Sequence, residues 1–143
     1  MTADVIISRM DKVLKRFNVS NREVYKRVVI RSGGDPLIGR YSSVKTAEWK
    51  LDPQPMVMSP RSDEPVALNS DGKSVVQVGD LLLTVTPTSV SREDLENKNL
   101  VFVFKHPSNH VEEEYFIVSY RPVVVYGSDV MFNVLVRSKR RPD

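Results

Sequence analysis

Three runs near the C-terminus constrain this chain most: Leu100-Val-Phe-Val-Phe-Lys105, Glu114 to Val125, and Asp129 to Lys139. Each is dense in Val, Phe, Tyr and Ile, residues that suit a pleated, half-buried surface. Turn chemistry separates them, with Pro107-Ser108-Asn109 after the first and Tyr126-Gly127-Ser128-Asp129 after the second. Strands this apolar need a covering layer, and the rest of the chain has to supply it.

The 143 residues suit one domain, 1–143. With 41% hydrophobic and 27% charged residues, the composition is that of a globular protein. There is no cysteine, so disulfide and thiolate chemistry are excluded. The opening residues lack a basic stretch followed by an apolar run, so no signal peptide is expected. No apolar run reaches the roughly 18 residues of a membrane helix, and no membrane partner is expected. The charge is uneven: residues 1–40 carry nine Lys/Arg against four Asp/Glu, and residues 41–143 carry twelve against fourteen. A basic N-terminal third suits nucleic acid or an acidic partner, or simply a solvated face.

Ile6, Met10, Val13, Leu14 and Phe17 form one helical stripe over 1–18, with Thr2 as N-cap. Lys12, Lys15 and Arg16 gather at its C-terminal end and form a candidate docking surface. Glu23 to Arg31 alternates, with Tyr25, Arg27, Val29 and Arg31 making one largely basic strand face. Ser32-Gly33-Gly34-Asp35-Pro36 then breaks the chain; these glycines lack the Lys-Ser/Thr ending of a phosphate loop and read as a turn. Tyr41 to Leu51 is a second strand carrying Trp49, the only tryptophan.

Pro53, Pro55, Pro60 and Pro65 then fall within thirteen residues. Proline cannot donate to a sheet ladder, so Asp52 to Gly72 is read as a long loop rather than a central strand. Its Met56-Val57-Met58 stretch is soft and adaptable. Strands are expected at Lys73–Val78 and Leu81–Thr86, and Ser91 to Leu95 reads either as a single helical turn capped by Ser91, with Asp94 at the third following position, or as a solvated loop. Six or seven strands behind one helix imply a mainly β fold, a small β-barrel or sandwich, with residues 140–143 as a basic tail's end.

No catalytic constellation is legible. His106 and His110 are four apart, but Pro107-Ser108-Asn109 places them in a hairpin loop, where that spacing does not converge on a metal. No metal, cofactor or enzymatic activity is expected.

Taken in order, these features resemble the head-closure (stopper) and head–tail joining proteins of long-tailed bacteriophages. The resemblance covers most of the chain. It rests on the helix ending Leu14-Lys15-Arg16-Phe17 and the basic strand Val24 to Arg31. Gly33-Gly34-Asp35-Pro36-Leu37-Ile38-Gly39 is similar to the family's Gly-x-Asp-Pro-x-x-Gly pattern. The stretch Asp71 to Asp80 and the final strand pair, Tyr115 to Val124 with Val130 to Arg137, complete it. The segments Ser91–Asn99 and His106–Glu113 depart from the pattern as insertions.

The resemblance implies a virion structural protein made in the host cytoplasm, a small β-barrel with an added helix. Copies would form a ring, typically a dodecamer, at the head–tail interface. Its partners would be itself, a portal or adaptor protein above, a tail terminator or tail tube protein below, and packaged double-stranded DNA in the channel. The family's channel-closing loop maps onto Asp52, Pro53, Gln54, Pro55, Met56, Val57, Met58, Ser59, Pro60 and Arg61. Docking surfaces for neighbouring rings would include Lys12, Lys15, Arg16, His106, Asn109 and His110. Tail terminator is an alternative within this family. A different class, an OB-type single-stranded nucleic-acid-binding barrel, would use Tyr25–Arg31 with Tyr25 and Trp49 as stacking platforms.

Overall fold

The computed structural model describes residues 2–16, 22–32, 43–63, 65–109 and 111–139. The Gly33–Gly39 turn, Phe17, His110 and the residues after Lys139 therefore lie outside the described residues. The chain runs α1 (Ala3–Arg16), β1 (Glu23–Ser32), β2 (Ser43–Lys50), β3 (Met56–Met58), a 3-10 turn (Pro65–Ala67), β4 (Leu81–Val85), α2 (Arg92–Glu96), β5 (Leu100–Lys105), β6 (Glu112–Val125) and β7 (Ser128–Ser138).

The expectation of a mainly β fold holds: seven strands form one antiparallel sheet in the order β2-β1-β5-β6-β7-β4-β3. It is not closed into a barrel, because β2 and β3 end the order without pairing to each other. The three apolar C-terminal runs are β5, β6 and β7, paired through Phe102↔Tyr115 and Ile117↔Val136.

Two differences from the sequence reading share one cause. Lys73–Val78 is not a strand; its ladder contact is the isolated bridge Leu68↔Ser74. The edge position beside β4 belongs instead to Met56–Met58, inside the Pro-rich stretch. Proline is tolerated beside an edge strand, where one side of the backbone needs no partner. Val13 also departs from the expected stripe: it is exposed, and Leu14 is the buried residue of α1.

The main core lies on one face of the sheet. Val24 of β1, Phe102 and Phe104 of β5, Phe132 and Val134 of β7, and Leu83 and Val85 of β4 join Leu95 of α2 and Val90, just before that helix, in one cluster. Ser91 caps α2 with a capping box: its hydroxyl accepts from the Asp94 N–H, and the Asp94 carboxylate accepts from the Ser91 N–H.

A bulge in β6 makes a second, smaller core on the opposite face. Pairing skips from Ile117↔Val136 to Ser119↔Leu135, leaving Val118 as the extra residue. Val118 thereby packs with Val66, Ala67, Leu82 and Leu135. The Ser119 hydroxyl donates to the Val66 carbonyl, holding the 3-10 turn over this face. At the far end, Tyr126 and Gly127 both have positive φ, at 53° and 74°, as the two-residue hairpin turn of β6–β7 requires.

Candidate assembly surfaces

The Pro-rich stretch is anchored at its start. Leu51, Pro53 and Pro55 are buried. Between the two prolines, Gln54 accepts from the Val24 N–H at 2.7 Å and donates to the carbonyls of Val24 at 3.0 Å and Leu51 at 2.6 Å. These contacts fix Asp52–Pro55 to the first residue pair of the sheet, so Met56–Met58 leaves in register with Leu82–Thr84. The outward stretch is 59–63, of which Ser59, Arg61, Ser62 and Asp63 are exposed and Pro60 is half-buried. Chain 65–80 then returns across the second core, tied down at its end by Asp80 and Arg137. Of the ten residues mapped onto a channel-closing loop, Pro53 and Pro55 are buried, Gln54, Met56, Val57 and Pro60 are half-buried, and Asp52, Met58, Ser59 and Arg61 are exposed.

Arg27, on the basic face of β1, is neutralised within the fold. Arg27 donates to Glu48 at 2.8 Å, to Glu112 at 2.9 Å and to Glu114 at 3.0 Å. Lys105 adds contacts to Glu48 at 2.7 Å and Glu112 at 3.6 Å. Burial works against the Arg27 charge, but the hydrogen bonds to Glu112 and Glu48 outweigh it and hold the guanidinium above its ordinary pKa. The Glu112 carboxyl is lowered in turn, first by its hydrogen bond to Arg27. Tyr25 donates to Glu23 at 2.9 Å and lies under the Lys105 ammonium at 4.2 Å. The run Glu112–Glu114 was the sequence signal for this network. It was readable only once β5 had been placed between β1 and β6.

The OB-type surface is not assembled. Tyr25 pairs with Lys50, and Trp49 pairs with Lys26, so the two expected stacking residues point to opposite faces of the sheet.

The candidate docking residues fall into two groups. Lys12, Lys15 and Arg16 are exposed on α1, and Lys15 lines a cavity with Lys50, Leu51, Asp52 and Gln54 at the base of the Pro-rich stretch. α1 itself is held against the sheet by Asp11, which accepts from Thr86 at 2.5 Å and Thr88 at 2.7 Å. His106 and Asn109 are engaged inside the β5–β6 turn: the His106 Nδ1 lies 2.7 Å from the Ser108 hydroxyl, and Asn109 accepts from the Val111 N–H.

Two hairpins extend past their neighbours. β1 pairs with β5 only as far as Val28↔Leu100, while its pairing with β2 continues to Ser32↔Ser43. β6 and β7 likewise continue beyond the last β4 contact, Val85↔Phe132, to Val125↔Ser128. Ile30 on the first arm and Val124 and Tyr126 on the second are exposed.

Among the described residues no group of three metal-ligating side chains occurs, and no helix is long and apolar enough to cross a membrane. No family model, curated protein or solved structure matches this chain.

Proposed function

We propose that the chain is a ring-forming structural subunit of a tailed-phage neck, joining head to tail. The observation that carries this reading is the sheet's two open ends. β2 and β3 each present a strand edge without a partner among the described residues. Such edges are templates for pairing with another chain. Because the two edges differ, contact from one copy's β2 side to the next copy's β3 side is heterologous, and heterologous contacts close into rings when the rotation per subunit is fixed. The two extended hairpins add reach, with apolar residues at Ile30, Val124 and Tyr126 for the next subunit or ring to cover. The sequence resemblance supplies the setting: portal or adaptor above, tail terminator or tube below, DNA in the channel.

On this reading the part of the mapped loop free to reach a channel is 59–63, with β3 as its fixed root. The test is electron microscopy of assembled particles with this chain labelled. A ring between portal and tail supports the proposal, and the subunit count separates connector from hexameric terminator. Absence of the chain from particles sinks it. Shortening 59–63 should leave the domain folded but release DNA from filled heads; heads that keep their DNA reject the closing role for that segment.

A further inference from the structure

A cleft of about 330 Å³ opens where the 88–94 segment meets β1 and β2. Its wall is Trp49, the only tryptophan in the chain. The indole is 51% exposed, although a tryptophan is the side chain that gains most from burial. Lys26, the residue directly opposite Trp49 on β1, lies on the same face with its Nζ 5.8 Å from the ring centroid. That is near the outer limit of a cation–π contact: the ammonium stands over the ring, while about half of the Trp49 surface stays open to solvent.

The rim is charge-balanced. Lys26 and Lys50 face Asp52 and Asp94, and Lys26 is locked to Asp94 at 2.9 Å. Lys50 is engaged with Glu23 at 3.1 Å. An anion or a cation therefore finds as much repulsion as attraction here. Hydrogen-bonding capacity remains: an ammonium has three protons, a carboxylate several lone pairs, and the Thr88 hydroxyl, which donates to Asp11, still has acceptor sites. The Ser89 hydroxyl, also on the lining, is buried and donates to the Thr86 carbonyl. The ligand that gains from all of these is uncharged, has hydroxyls around its rim and presents a flat C–H face to the indole.

We propose that this cleft binds a neutral saccharide, with one pyranose ring stacked on Trp49 and its hydroxyls bonded to Asp52 and Thr88. The neighbouring cavity of about 500 Å³ shares Lys50 and Asp52 and continues to Gln54, which gives a second sugar ring a place. The proposal stands apart from the ring-forming role and does not depend on it.

The experiment is saturation-transfer NMR and tryptophan fluorescence on the full chain with maltose, cellobiose, lactose and N,N′-diacetylchitobiose. At least one should give a saturable change in the emission of the single tryptophan, with magnetisation transfer to one face of one ring. Trp49→Ala should weaken binding by about tenfold or more, read by NMR. Trp49→Phe should retain part of it, and Asp52→Asn should weaken it, with circular dichroism unchanged in all three. Failure of all four sugars to give a saturable response overturns the proposal. So does a response that survives Trp49→Ala, or one confined to a thymidine oligonucleotide and lost in salt, which would make the cleft an anion site.

Discussion

Arg137 of β7 reaches Asp80 in a two-pronged contact, Nε to Oδ1 and Nη2 to Oδ2, both at 2.9 Å, while Nη2 also donates to the Val75 carbonyl at 2.8 Å. The Asp80 side chain is wholly buried and also accepts from the Gln77 N–H. One ion pair thus fixes the whole 75–80 return without a strand. Asp80→Ala should cost about 3–5 kcal/mol, because it leaves a guanidinium largely buried and uncompensated. Adding Arg137→Met should recover a large part of that loss in urea unfolding. If the single variant unfolds at the wild-type midpoint, the pair does not hold the segment.

Arg27 joins Glu48, Glu112 and Glu114 from three other strand positions. Arg27→Ala should cost about 1–2 kcal/mol, less than three buried pairs would, since Glu112 and Glu114 are more than a third exposed and screened by water. The loss should shrink in high salt, because salt already weakens the network in the wild type. A loss that is independent of salt would point to packing of the arginine stem instead.

Gln54 holds backbone groups of both Val24 and Leu51. Gln54→Ala should cost about 1–3 kcal/mol through unpaired, partly buried backbone groups. Amide exchange should rise specifically at Met56–Met58, which that residue aligns. Uniform exchange across the sheet would show that β3 is held by its ladder alone.

Several carboxylates make stability fall in acid. Burial raises the Asp94 pKa, but hydrogen bonds from Lys26 and the Ser91 backbone outweigh it and bring it below its ordinary 3.8. Arg92 lowers Asp129 from 3.8, and Arg27 lowers Glu112 from 4.5. A depressed folded value means that the unfolded chain takes up the proton first as pH falls. Their contribution is therefore present above the ordinary carboxylate values and lost as pH drops through the folded ones, which lie below 3.8 for Asp94 and Asp129 and below 4.5 for Glu112. Urea midpoints should be flat from neutrality to the ordinary carboxylate range and then decline. Asp94→Asn should flatten part of that decline and, by weakening the α2 cap, cost about 1 kcal/mol at neutral pH.

The sequence by itself determined the local elements whose signals are local. Alternation placed β1 and the dense apolar runs placed β5, β6 and β7, while Ser91 with Asp94 offered the α2 turn beside a solvated loop, and the capping box is what the structure shows. These follow from backbone preference and side-chain period, which act over a few residues. Tertiary structure alone decided what depends on distant partners. Met56–Met58 became a strand because β4 offered an edge, and Lys73–Val78 did not, because Met56–Met58 holds that edge and Arg137 holds the segment's end. Arg27 lost its free charge because the order β1-β5-β6 brings Glu112 and Glu114 across β5 to it. Trp49 and Tyr25 were parted because their pairing register sends them to opposite faces. Register within a hairpin such as β6–β7 follows its local turn, but strand order and the pairing of strands far apart in the chain are set by contacts between residues tens of positions apart.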